Sequence, residues 1–266
     1  MMRSIIFRKI KRIGRTLIAL GFWLGLWQIA AMVVGQELLI PAPLLVLRRL
    51  AELGGTVLFW QSAGGTLLRI FGGFLIGVVL GTVVGVLTAS WPLADLLLSP
   101  AVRVVRATPV ASFIVLMLLW VKTGMLPAFI SALMVLPILW GNVTRGIRET
   151  DPLLLEMGAL YGFGFWKEKR LIYLPSVLPY FTSGCKTALG LAWKSGVAAE
   201  VLCLPKQAVG TQVYYSKLYL ETPSLFAWTV VVIVLSFLVE GVLVFGMNRL
   251  EKRRGRTEGG GAGAEA

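Results

Sequence analysis

The chain has 266 residues, of which 57% are hydrophobic and 15% charged, too little polar material to cover a soluble globule. Its formal charge of +13 is not a nucleic-acid signature, because the aromatic residues sit inside apolar runs rather than alternating with a basic patch. Membrane lipid is therefore the expected surrounding, and no nucleic-acid partner is expected. The absence of histidine removes the commonest proton shuttle, general base and metal ligand, which disfavours catalysis and metal binding.

A hydrocarbon core about 30 Å thick needs roughly 17 to 25 mostly apolar helical residues, and six runs qualify. The first, 16–34, follows Arg3, Arg8, Lys9, Lys11, Arg12 and Arg15 and carries Trp23 and Trp27. A cleaved signal peptide fits less well, since the run is long and lacks a small-x-small cleavage site. Residues 35–61, with Pro-Ala-Pro at 41–43, read as an external re-entry segment with a short surface helix ending near Leu53. Spans follow at 64–89, 107–121 (irregular at its start because of Pro109) and 126–143. A polar insertion fills 144–178, a fifth span covers 179–202, an external segment runs to Ser224, and a sixth span covers 225–247. The tail is basic and then glycine-rich, with a disordered end expected.

The expectation is an all-α integral membrane protein of about six transmembrane helices. Its parts are an N-terminal helix and external segment (1–62), a core (63–248) and a tail (249–266). On this layout 18 of the 26 Lys and Arg fall in the N-terminus, the 90–106 turn, the 144–178 loop and the tail. Both termini and the long loop are then cytoplasmic.

Two small-residue ridges recur at every fourth position, Gly73, Gly77, Gly81 and Gly85 in the second span and Gly184, Ala188, Ala192 and Gly196 in the fifth. Such ridges mark helix contacts in lipid, where close backbone approach replaces a hydrophobic driving force. Cys185 and Cys203 lie 18 positions apart on one expected helix, roughly 27 Å, so they cannot bridge within the chain and read as packing residues. Lys186, Lys194, Glu200 and Glu240 fall within spans, where a centred charge costs at least about 2.5–3.5 kcal/mol. Lys186 is near enough to the inner end to snorkel, and Glu240 is expected to pair structurally. Lys194 and Glu200 are rotated about 240° apart and do not share a face. Lys194 requires a carboxylate on another helix, water or an anionic solute, and with Glu200 it forms the candidate substrate path.

In the long loop, Asp151 and Pro152 open a helix, Leu153, Leu154, Leu155, Met157 and Leu160 give it an apolar side, and Gly162 ends it. A second short helix is expected over 166–173, stopped by Pro175. An amphipathic hairpin lying on lipid headgroups, held by Lys167, Lys169 and Arg170, is the plainer alternative. The spacing resembles the inner-membrane permease subunits of binding-protein-dependent ATP-binding-cassette (ABC) importers, whose cytoplasmic loop carries Glu-Ala-Ala, three residues, Gly, nine residues, then Ile-x-Leu-Pro. Here Glu156, Met157, Gly158, Gly162, Ile172, Leu174 and Pro175 stand at that spacing, with Met157 and Gly158 replacing the two alanines. The resemblance covers about residues 39–243. The segments at 40–50 and 193–200 are similar to the nitrate, sulfonate and taurine branch.

That resemblance implies a bacterial inner-membrane permease, paired as a homodimer, with a separate ABC ATP-binding subunit gripping the loop and an extracytoplasmic substrate-binding protein delivering a small anion. ATP and Mg would be used by the partner subunit, with no cofactor held by this chain. The nearest string to a phosphate-cradling loop, GCKT at 184–187, lacks the glycine before the lysine and begins a membrane helix. Alternatives are another small solute such as a thiamine-precursor pyrimidine, or an ion-coupled secondary transporter. The second is disfavoured by the absent histidine and the few membrane carboxylates.

Overall fold

The computed structural model describes residues 2–259, with side chains described over 18–247 and at Arg249. The basic side chains expected to hold the N-terminus, and the 260–266 end of the tail, lie outside the described residues. Every regular element among the described residues is helical. Backbone contacts divide the chain into two units, 1–60 with 212–231, and 61–211 with 232–266.

In the smaller unit, α1 (Met2–Val34) ends at Gly35, and α2 (Pro43–Gly54) begins where extended Ala42 hands over to Pro43 at the first helical position. The start of α11 (Thr222–Gly259) is tied to this segment. Thr222 donates to the Leu38 carbonyl at 2.7 Å, and Arg49 donates to Ser224 at 2.8 Å and pairs with Glu52 at 2.9 Å. Aromatic stacking of Trp27 on Phe226 and Phe59 on Trp228 completes the contact.

The larger unit contains most of α3 (Val57–Ser90), then α4 (Pro92–Ala107), α5 (Val110–Met117), α6 (Leu126–Arg148), α7 (Pro152–Leu160), α8 (Phe165–Glu168) and α9 (Leu174–Cys203). α10 (Val209–Leu218) begins in it, and the later part of α11 belongs to it. One core joins Phe74, Val135, Leu139, Ala188, Leu189, Ala192 and Met247; a second joins Ile114, Leu126, Ile130, Met134, Ala199 and Cys203. Both glycine ridges lie in helix contacts. A β-carbon on Gly77 would stand 2.6 Å from the Ala132 carbonyl and from Val135 Cβ, and one on Gly81 would stand 2.7 Å from Leu139 Cβ. On α9, a β-carbon at Gly196 would meet Ser131 Oγ at 2.6 Å and Ile70 Cγ1 at 2.7 Å. α3, α6 and α9 thus approach more closely than side chains allow. Cys185 and Cys203 are buried, free thiols.

Among the described residues three helices, Val57–Ser90, Leu126–Arg148 and Thr222–Met247, are long and apolar enough to cross a membrane, or four if the α4–α5 pair is counted as one span; the described side chains of α1 add a shorter apolar run, Ile18–Val34. α9 has 30 residues, enough length to cross, but carries Lys186, Lys194 and Glu200. The run at 107–121 is not a single helix. α4 and α5 meet at 103°, because Thr108 before Pro109 is held extended and Pro109 has no N–H to continue the ladder; the eight residues of α5 reach only about 12 Å. α6 runs on to Arg148, five residues beyond the expected end of the fourth span. Pro175 does not stop a helix either. α8, a π-helical turn (Lys169–Tyr173) and α9 run on without a break, and Pro175 stands just past the π-helical turn, whose altered hydrogen-bond ladder accommodates a residue without an N–H.

Candidate functional site

The segment between α6 and α9 folds as a compact knob. Asp151 caps α7 by accepting from the Leu153 N–H at 2.9 Å, with Pro152 at the first helical position. The helix closes in a Schellman turn: Gly162 N–H donates to the Ala159 carbonyl at 3.0 Å, Phe163 N–H donates to the Gly158 carbonyl at 2.9 Å, and Gly162 is left-handed at φ +63°. Gly158 is buried under Ile172, whose Cδ1 would lie 2.9 Å from a β-carbon there. The second alanine of the family pattern is therefore a glycine where the π-helical turn folds onto α7. Lys169 lies 3.8 Å over the Tyr173 ring and Lys167 4.2 Å over Phe163.

Of the seven loop residues singled out in the sequence, Gly158 and Ile172 are brought into contact, and Gly162 makes the turn. Glu156 and Met157 are exposed on α7, while Leu174 and Pro175 lie at the start of α9. Leu153, Leu160, Tyr161 and Trp166 are exposed, Leu160 at 87% and Trp166 at 82%. The root of the knob is tied down. Tyr180 donates to Glu149 at 2.6 Å, Arg145 pairs with Glu149 at 3.2 Å, and Arg148 pairs with Asp95 at 2.8 Å. A β-carbon on Gly146 would meet Val177 Cα at 3.1 Å. Displacement of the knob must therefore move α6 and α9 together.

Lys194 and Glu200 are not brought together. Lys194 is exposed on α9, on a stripe with Ser183, Thr187, Leu191 and Ala198, and no carboxylate pairs with it among the described residues. Glu200 is fully buried. Thr66 shares its hydroxyl proton between the two Glu200 oxygens at 2.8 and 3.0 Å, Gly210 N–H donates to Oε2 at 3.1 Å, and Arg69 Nη1 lies 3.5 Å from Oε1. Arg69 also donates to the carbonyls of Lys206 at 2.6 Å and Gln207 at 3.0 Å. It thereby pins a turn in which Leu204 and Gln207 are both left-handed at φ 52°. Sequence reasoning missed Arg69, although a guanidinium inside the 64–89 run was itself the signal that a buried carboxylate lay nearby. Lys186 is exposed. Glu240, expected to pair structurally, is exposed on α11 and makes no ion pair among the described residues.

The family of binding-protein-dependent transport system inner membrane components matches residues 73–256, more than half of the chain and the whole of the knob. The chain belongs to this family. The permease is 24% identical to the taurine transport system permease protein TauC of Escherichia coli (strain K12), over 91% of this chain and 87% of that one. It is 25% identical to the putative aliphatic sulfonates transport permease protein SsuC of Bacillus subtilis (strain 168), over 89% and 86%. It is also 27% identical to the riboflavin transport system permease protein RibX of Chloroflexus aurantiacus, over 82% and 84%. Its fold is that of a chain in the crystal structure of a bacterial ABC transporter involved in import of the acidic polysaccharide alginate, with a TM-score of 0.60, 16% identity and coverage of 93% of this chain and 98% of that one. The permease is thus a multi-pass bacterial inner-membrane protein of the ABC importer type, and the taurine and sulfonate relatives agree with the branch read from the sequence.

Proposed function

We propose that this permease forms the solute path of an ATP-driven importer for a small anion, and that the 144–178 loop docks on a separate ATP-binding subunit that uses ATP and Mg. The observation that carries the reading is the knob. A Schellman turn and the Gly158–Ile172 contact make it rigid, its outer surface exposes Leu153, Leu160, Tyr161 and Trp166, and its root is bonded to the ends of α6 and α9. A loop that only joined two helices would have no use for an exposed apolar tip on a braced base. Glu156 and Met157 on α7 contact the ATP-binding subunit, Gly158, Gly162 and Ile172 set the knob's shape, and Leu174 and Pro175 relay its movement into α9.

The layout under this reading is six crossings, with α4–α5 and α9 contributing two, and both termini in the cytoplasm. The 1–62 segment, the 63–248 core and the 249–266 tail act as peripheral, transporting and cytoplasmic parts. Two copies of the chain pair to enclose the path, and an extracytoplasmic binding protein delivers the solute. Lys194 faces that path, because it is exposed in mid-helix and pairs with no carboxylate among the described residues. The part of Glu200 is indirect, holding the 204–210 turn at the outer end of the path. The taurine and sulfonate relatives support an anionic solute. Likeness to a riboflavin permease favours a second reading, an uncharged heterocyclic solute such as a pyrimidine, which would have no use for Lys194.

The test is reconstitution with the cognate ATP-binding subunit and binding protein. Glu156→Arg is expected to abolish the stimulation of ATP hydrolysis by loaded binding protein while leaving the permease folded. Labelling of a Leu160→Cys variant only from the extracytoplasmic side, or solute uptake that survives excision of residues 156–166, would overturn the reading. Lys194→Met is expected to raise the solute concentration needed for half-maximal uptake; unchanged uptake at every concentration removes Lys194 from the path.

A further inference from the structure

Within the larger unit, α4, α5, α6 and α9 surround a cavity of about 760 Å³, in the size range of small-molecule sites. Its charged lining is wholly basic, with Arg106 from the last turn of α4 and Arg145 from the last turn of α6, and no carboxylate lines it. Of the nearby acids, Asp95 is taken by Arg148 at 2.8 Å and by Ser99, while Glu149, which does not line the cavity, accepts from Tyr180 and pairs with Arg145 Nε at 3.2 Å. The terminal nitrogens of Arg145 are left over, and Arg106 has neither a hydrogen bond nor an ion pair among the described residues.

The neutral polar groups of the wall already donate inward. The Thr108 hydroxyl donates to the Val104 carbonyl at 2.8 Å, the Thr187 hydroxyl to Ser183 at 3.2 Å, and the Asn142 amide to Ile138 at 2.8 Å. Guanidinium groups are therefore the main donors the cavity offers. Lys194 extends this basic character, lying about 20° around α9 from Thr187 and two turns further along it.

We propose that this cavity is an anion site on the solute path, in which Arg106 and Arg145 together select a small oxyanion such as a carboxylate, sulfonate or nitrate. The inference rests on the reading of the chain as a permease and adds to it the residues that decide the sign of charge. Planar guanidinium forks match oxyanions in geometry as well as charge. Facing an apolar-walled cavity, two of them raise the local concentration of anions by about tenfold or more and lower that of cations. Charge bias between the two sides of a membrane accounts for arginines near a cytoplasmic end. It does not account for two that line one cavity from which carboxylates are missing.

The probe is a cysteine in the wall. In the reconstituted complex, Thr187→Cys is labelled from the cytoplasmic side with sulfonatoethyl methanethiosulfonate or its trimethylammonioethyl counterpart. Modification of this chain is read by mass spectrometry, and each rate is normalised to that of a free thiol in solution. The two natural cysteines are buried, and the parent chain supplies the blank. The anionic reagent is expected to react about tenfold faster than the cationic one. The preference should vanish in Arg106→Gln/Arg145→Gln and persist in Arg106→Lys/Arg145→Lys. Equal rates in the parent background, a preference that survives the glutamine pair, or no reaction with either reagent would overturn the site. Failure of the permease reading itself would appear separately, as ATP hydrolysis indifferent to Glu156→Arg.

Discussion

The 151–173 knob and the Glu200 clasp are both polar interruptions of an apolar chain, and they are built in opposite ways. The knob draws on a continuous stretch from Asp151 to Tyr173, and its hydrogen bonds span no more than five residues, as from Leu153 N–H to Asp151 and from Phe163 N–H to the Gly158 carbonyl. The clasp joins Thr66 to Glu200 across 134 positions and Arg69 to Gln207 across 138. The knob leaves its large apolar side chains exposed, whereas the Glu200 carboxylate has all its partners inside the protein. The knob keeps its surface free and is held by local geometry. An element that holds a membrane fold closed spends its polar groups on one another.

If that contrast is right, damage to the clasp should spread through the fold and damage to the knob should stay local. Glu200→Ala leaves Arg69 without its buried counter-charge and is expected to destabilise the chain by about 3–5 kcal/mol, read as a lowered thermal midpoint in detergent. Survival of that variant at the parental midpoint would break the comparison. Gly77→Ala forces α3 away from the Ala132 carbonyl and Val135, with an expected cost of about 1–3 kcal/mol in the same measurement. Gly162→Ala places a side chain in a left-handed turn at a cost of about 1–2 kcal/mol. Hydrogen exchange should speed up across 158–163 and remain unchanged in α6, which separates a local defect from a global one. The smallest effect is expected from Gly158→Ala. A methyl group there presses on the flexible tip of Ile172, makes ordinary contact with the Phe163 ring at 3.5 Å and gains helix propensity, so stability should stay within about 1 kcal/mol and ATPase stimulation should persist.

The knob was legible because its signals are short-range. An Asp-Pro pair opening a helix, a glycine closing it and a fixed distance to Ile172, Leu174 and Pro175 are all visible within 25 residues. Pro175 reads as a stop in the sequence because a proline removes one ladder hydrogen bond, and only the structure shows that the preceding π-helical turn absorbs that loss and lets the helix continue. The glycine ridges were readable as contacts but not as to partner; that Gly77 faces Ala132 and Gly196 faces Ser131 depends on how three helices cross. Glu200 looked like a path residue because a charge in an apolar run signals either function or a buried pair, and only the position of Arg69 distinguishes them. The basic cavity was invisible for the same reason, since Arg106 and Arg145 are 39 positions apart and belong to different helices.

Composition, apolar run length and local spacing were enough to determine a helical membrane protein with a specific loop between two of its helices. Those properties follow from the cost of exposing backbone to lipid and from capping chemistry within one turn. Tertiary structure alone decided the break at Pro109 as a 103° bend, the burial of Glu200 and the shared cavity of Arg106 and Arg145. The bend angle is set where Pro109 interrupts the ladder, whereas the other two depend on distances between helices that no local spacing encodes.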